Sequence, residues 1–90
     1  MKLHLNVSGR VQGVGFRYTT QQIASEIGIT GTVKNESDGT VTIEAVGTDK
    51  QINQFLDQLK HPQNPFAKVE HIEQQEDATI KDYERFKVVY

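Results

Sequence analysis

Gly9-Arg10-Val11-Gln12-Gly13-Val14-Gly15-Phe16-Arg17 places three glycines and two arginines in nine residues, and such a grouping does one kind of chemistry well: it holds an anion. Glycine lets the backbone take positive φ, so neighbouring N–H groups can turn inward around a concavity that attracts negative charge. A helix starting at the same spot adds its unpaired first-turn N–H groups and the positive end of its dipole. Arg17, at the lip, can lay a planar guanidinium over the concavity and grip two oxygens as a fork. Arg10 is expected to add long-range attraction only. There is no Gly-Lys-Ser/Thr ending and no Gly-x-Gly-x-x-Gly run, so neither a Walker loop nor a dinucleotide fingerprint is present. A tight turn joining strand to helix would also use glycine. The two cations favour an anion site, because a connecting turn has no need of them.

The loop can act as a cradle only if flanking elements hold it. Leu3, Leu5 and Val7 alternate with Lys2, His4 and Asn6, the period of a half-buried strand over 2–8. Phe16, Thr20, Ile23, Ala24 and Ile27 recur at helical spacing, with Gly28 placed as a left-handed cap. Residues 29–35 and 40–47 are β-rich and flank Glu36-Ser37-Asp38-Gly39, a hairpin turn. Thr48 and Gln51 form a capping-box pattern ahead of the stripe Ile52, Phe55, Leu56 and Leu59. That second helix must end by His61, which precedes Pro62. Residues 67–75 read as a strand, although Val69 and Ile72 have opposite parity, which predicts a bulge or an edge position. Phe86, Val88 and Tyr90 alternate in a last short strand.

The order strand, helix, strand, strand, helix, strand is that of an α+β ferredoxin-like α/β sandwich (βαββαβ). It predicts an antiparallel sheet of four strands plus a short C-terminal strand, with two helices on one face and the other face open to solvent. This architecture carries many unrelated activities, so function must be read from the loop.

Composition narrows the classes further. The chain has 90 residues, room for a single domain over 1–90. With no cysteine, a disulfide framework, a thiolate zinc site and a cysteine nucleophile are excluded, and a reducing compartment is indicated. No stretch is long enough for a signal or membrane segment, so a cytoplasmic monomer with no membrane partner is expected. The net charge is −2 and the ten basic residues are scattered, a poor match to a nucleic-acid binder. Leu5, Val7, Val41 and Ile43 also offer no aromatic platform for bases. His4, His61 and His71 fall in different elements without ligand spacing, so no metal and no cofactor are expected. Glu36 and Asp38 beside the turn read as solvated carboxylates.

The segment Val7-Ser8-Gly9-Arg10-Val11-Gln12-Gly13-Val14-Gly15-Phe16-Arg17-Tyr18 resembles the signature loop of acylphosphatases, and Gly31-Thr32-Val33-Lys34-Asn35-Glu36-Ser37-Asp38-Gly39-Thr40-Val41 resembles their second signature. The resemblance extends over the whole chain in length and element order. It implies hydrolysis of the carboxyl–phosphate bond of a small-molecule acyl phosphate, without metal or covalent intermediate. Inorganic phosphate would then be product and competitive inhibitor. The carboxylate leaving group has a conjugate acid of pKa roughly 4, so no general acid is required.

The resemblance also implies roles. Arg17 binds the phosphoryl group, and the backbone amides of Gln12, Gly13, Val14, Gly15 and Phe16 complete the cradle by electrostatic stabilisation. Asn35 orients the attacking water through its side-chain amide, and the substrate phosphate accepts the proton. On position alone, Asn35 also suits the start of a hairpin turn. Glu36 follows Asn35 directly, and strand alternation predicts that it points away from the phosphate. The acyl part is expected to be read loosely, since the loop sees mainly the phosphate and carbonyl. Two other readings stay open: a regulatory module that binds an anion without chemistry, and the acylphosphatase-like domain of larger carbamoyl-transferring maturation proteins.

Overall fold

The alternation at the start of the chain becomes an interior strand of the sheet. In the computed structural model, which describes residues 1–90, β1 (Lys2–Arg10) buries Leu3, Leu5 and Val7. Lys2, His4 and Asn6 take the opposite face by strand parity. The first helix, α1 (Phe16–Ile27), buries Phe16, Thr20 and Ala24, and it ends at Gly28, whose N–H donates to the Ala24 carbonyl at 2.9 Å. The hairpin consists of β2 (Thr30–Asn35) and β3 (Val41–Val46). At its turn the Glu36 N–H donates to Thr40 O at 2.8 Å and the Gly39 N–H to Glu36 O at 3.2 Å.

The second helix, α2 (Asp49–Lys60), starts with the expected capping box. Gln51 N–H donates to Thr48 Oγ1 at 3.1 Å, and Thr48 N–H to Gln51 Oε1 at 2.9 Å. Reciprocal bonds of this kind satisfy two helix-start donors that would otherwise be orphaned. Two further strands, β4 (Lys68–Glu76) and β5 (Phe86–Val89), complete the set. No helix is long and apolar enough to cross a membrane.

The sheet order is β4-β1-β3-β2-β5. β1 pairs antiparallel with β3 and β4, and β2 antiparallel with β3, as expected for the four-stranded part. β5 pairs parallel with β2, which makes the five-stranded sheet mixed. Both helices pack on one face, α1 over β2 and β5 and α2 beside α1 and β4. Phe86 carries β5 into the core, its ring centroid 6.1 Å from that of Phe55.

The opposite face is not left entirely to solvent. Between β4 and β5 the chain crosses it: Ile80 is buried, Lys2 Nζ donates to Ile80 O at 2.5 Å, and Tyr83 Oη donates to Glu44 Oε1 at 2.5 Å. That bond to Glu44, with some burial, raises the Tyr83 pKa above its ordinary value. The crossing is what delivers β5 to the far edge of the sheet.

The parity conflict in β4 is resolved by a bulge. Ser8 faces His71 and Gly9 faces Val69, so Glu70 is the extra residue, and Val69 and Ile72 both pack against the core. At Gly9, φ is +127°, and a Cβ would run into the Lys68 carbonyl and the Glu70 amide nitrogen. Gly9→Ala is therefore expected to destabilise the fold by about 2 kcal/mol or more, visible as a lower urea midpoint. An unchanged midpoint would show that β1 and β4 can separate there without strain.

Candidate active site

The glycine loop spans the gap between β1 and α1, anchored by the buried Val11. Gly13 and Gly15 have φ of +73° and +77°, while no non-glycine residue has positive φ. The sign of φ thus alternates through 12–15, the conformation that points successive N–H groups into one concavity. No N–H group from Gln12 to Tyr18 donates to another group of the chain, and the first helical bond is from the Thr19 N–H to Gly15 O at 3.0 Å. These N–H groups are free to donate to water or to an external acceptor. A Cβ added at Gly13 or Gly15 would meet nothing within 4 Å, so it is the positive φ and not a close neighbour that calls for glycine there.

Arg17 is the second residue of α1 and half-buried. Its Nη1 donates to Val89 O at 3.3 Å, and its guanidinium lies 4.6 Å from the centroid of the Tyr90 ring. Neither the Val89 carbonyl nor the Tyr90 ring carries a charge, and Arg17 makes no ion pair, so these contacts steer the cation without neutralising it. Stacking of this kind at an exposed site contributes about 0.5–1 kcal/mol, enough to limit the rotamers of a long side chain.

Asn35 ends β2, in register with Val41 and of the same parity as the buried Gly31 and Val33. Its Oδ1 is buried and has no hydrogen-bond partner. An orphaned buried acceptor costs about 1–3 kcal/mol, and such groups in native proteins point to an absent partner or a catalytic task. The Glu36 carboxylate accepts from Thr42 Oγ1 at 2.6 Å. Asp38 Oδ1 accepts from Thr40 Oγ1 at 2.6 Å and from the Thr40 N–H at 3.0 Å. The hydroxyl first, then the amide, hold the Asp38 carboxyl below its ordinary pKa.

Arg17 and Asn35 line one cavity of about 700 Å³, together with Gly13, Gly15 and Phe16. No Asp or Glu side chain lines it. Gln12 and Val14, expected in the cradle, are not among its lining residues. Gln12 instead spends both side-chain amide hydrogens on the hairpin turn, its Nε2 donating to Glu36 O at 2.7 Å and Thr40 O at 2.8 Å. It thereby ties the glycine loop to the segment that carries Asn35. Val14 packs its side chain against the core. Arg10 is exposed at the end of β1 opposite Lys68 and does not line the cavity, so any contribution from it would be the long-range attraction expected, and it is no second cation at the loop amides.

The residues missed from sequence are C-terminal. Arg85, Lys87 and Tyr90 line the cavity, and the Val89 carbonyl holds Arg17. A signal existed: Tyr90 continues the alternation of Phe86 and Val88, which places it on the helix-covered side beside α1.

The sequence and the fold are matched by known proteins. A sequence profile of the family described as Acylphosphatase matches residues 3–88. The acylphosphatase of Ligilactobacillus salivarius (strain UCC118) is 54% identical over 84 residues, covering 93% of this chain and 92% of that protein. The crystal structure of acylphosphatase from Bacillus subtilis superposes with a TM-score of 0.93 at 39% identity, covering 99% of this chain and 98% of that one. T. kodakarensis HypF is similar too, with a TM-score of 0.89 and 33% identity over all of this chain but only 12% of its own.

Proposed function

The chain belongs to the acylphosphatase family, and from that premise we propose that it hydrolyses the carboxyl–phosphate bond of acyl phosphates to a carboxylate and inorganic phosphate. Arg17 and the loop amides at Gly13, Gly15 and Phe16 bind the phosphoryl oxygens. Charge spreads over those oxygens in the transition state, so donors fixed beforehand stabilise it more than they stabilise the substrate. Asn35 holds a water in line with the departing carboxylate. The water oxygen bonds to phosphorus as the phosphorus–carboxylate bond breaks, and the water proton passes to a phosphoryl oxygen. The carboxylate leaves as the anion, so no acid is needed to protonate it.

The observation that carries this reading is the buried Oδ1 of Asn35, without a partner in the chain, in the same cavity as Arg17, which no Asp or Glu side chain lines. A domain that only bound an anion would need the amides and Arg17. It would have no use for an amide oxygen kept without a partner across the cavity. We take the protein to act as a single-domain monomer in the cytoplasm, with inorganic phosphate as competitive inhibitor.

The test is to mix the protein with acetyl phosphate and excess chelator and follow loss of substrate. Turnover undiminished by the chelator is expected. No hydrolysis above background would sink the proposal, and a rate that collapses with chelation would overturn its mechanism.

A further inference from the structure

Asn64 lies outside the matched signature segments, in the loop after α2 between Pro62 and Pro65. Its Nδ2 donates to the Val14 carbonyl at 2.9 Å and to Thr19 Oγ1 at 3.1 Å. Thr19 Oγ1 in turn donates to the Gly15 carbonyl at 3.1 Å. The side chain is itself fixed, because Asn64 Oδ1 accepts from the Phe66 N–H at 3.0 Å and Asn64 O accepts from the Ala67 N–H at 3.1 Å.

In a trans peptide the carbonyl and the N–H of the next residue point in opposite directions. The Val14 carbonyl shares its peptide plane with the Gly15 N–H, and the Gly15 carbonyl shares its plane with the Phe16 N–H. Drawing both carbonyls toward Asn64 and Thr19 therefore turns the Gly15 and Phe16 N–H groups the other way. Gly15 and Phe16 line the cavity, and neither N–H has a partner within the chain.

The need for a clamp follows from glycine. The Val14–Gly15 peptide can flip at little steric cost, because Gly15, at φ of +77°, tolerates negative φ equally well. A flipped peptide would present a carbonyl oxygen where an anion must sit. We propose that Asn64 is a positioning residue that holds the cradle in its anion-accepting form, acting on phosphoryl affinity through the Val14 carbonyl and, by way of Thr19, the Gly15 carbonyl. The inference rests on the cradle of the proposed function.

If only a fraction of molecules has the peptide facing inward, apparent affinity falls by that fraction, while a bound phosphoryl group restores the competent form. The signature is thus in affinity and not in turnover at saturation. Asn64→Ala is expected to raise the dissociation constant for inorganic phosphate, measured by isothermal titration, about tenfold, the scale of losing two modest hydrogen bonds. KM for acetyl phosphate should rise by the same factor, with kcat changed less than twofold. A residue that only stabilised the loop would lower the melting temperature and leave both constants alone.

Unchanged phosphate affinity, or a fall in kcat at unchanged KM, would overturn the proposal. Should Asn64→Ala fail to fold, Thr19→Val breaks the relay alone and is expected to weaken phosphate about threefold, with Thr19→Ser restoring it. Unaltered affinity in Thr19→Val counts against the clamp. Wild-type protein that bound phosphate yet left acyl phosphates intact would sink the proposed function while the titration still decided the role of Asn64. Wild-type protein that bound no phosphate would overturn both.

Discussion

Arg17→Ala is expected to remove measurable turnover of acyl phosphates, a loss of about a thousandfold or more in kcat/KM, and to weaken inhibition by phosphate. Removing a single preorganised donor from a site of developing charge already costs about a hundred- to a thousandfold. Arg17 supplies both a full charge and a fork of donors, and it is the only charged residue of the α1 first turn lining the cavity. The guanidinium is aimed by Val89 and Tyr90 without being neutralised by them.

The fold should survive this change. Arg17 is half-buried on the edge of the cavity and outside the core cluster, and the lost stacking on Tyr90 accounts for about 1 kcal/mol at most. Steady-state kinetics with acetyl phosphate beside a melting curve separate the two effects. Arg17→Lys should recover little, because a point charge cannot reproduce the planar fork. Near-normal kcat/KM in Arg17→Ala would remove Arg17 from the mechanism.

The division between what the sequence reveals and what it hides follows the range of each interaction. Local signals translate directly. The Leu3-Leu5-Val7 alternation became a strand, Gly28 closed α1, Thr48 and Gln51 formed the capping box, and the parity clash of Val69 and Ile72 marked the bulge. Each depends on residues a few positions apart, where backbone geometry fixes the outcome. The two halves of the site were legible for a different reason, since each lies within a contiguous motif, one ending in Arg17 and the other holding Asn35.

What sequence did not show was how distant segments meet. Gln12 reaches Glu36 and Thr40, Asn64 reaches Val14, and Tyr90 reaches Arg17 across contacts of 24, 50 and 73 positions (36 − 12, 64 − 14 and 90 − 17). The parallel pairing of β5 with β2 belongs to the same class, because it depends on the crossing made by 77–85. Arg10 illustrates the limit of nearness in sequence. Nearness in sequence to the glycines suggested a shared site, but its place at the end of β1 leaves it exposed and off the cavity.

Asn35→Ala is expected to separate binding from chemistry. Turnover should fall by about two orders of magnitude or more, the scale of losing one preorganised catalytic contact. The inhibition constant for inorganic phosphate should stay within a few-fold of wild type, because the cradle amides and Arg17 are untouched. Stability supplies a second, independent sign. The Asn35 side chain makes no hydrogen bond within the chain, and its Oδ1 has no partner there, so its removal breaks no bond of the fold and costs only a small loss of packing. The variant should melt close to wild type, so a loss of turnover would not be a loss of fold. Asn35→Asp keeps the shape but sets a carboxylate facing the phosphoryl group. It should both lose turnover and raise the phosphate inhibition constant, more strongly at low salt, where charge repulsion is least screened. If Asn35→Ala turned over normally, the water would have to be held by another group. If it lost phosphate affinity as severely as turnover, Asn35 would belong to the cradle and the in-line geometry would need a different source.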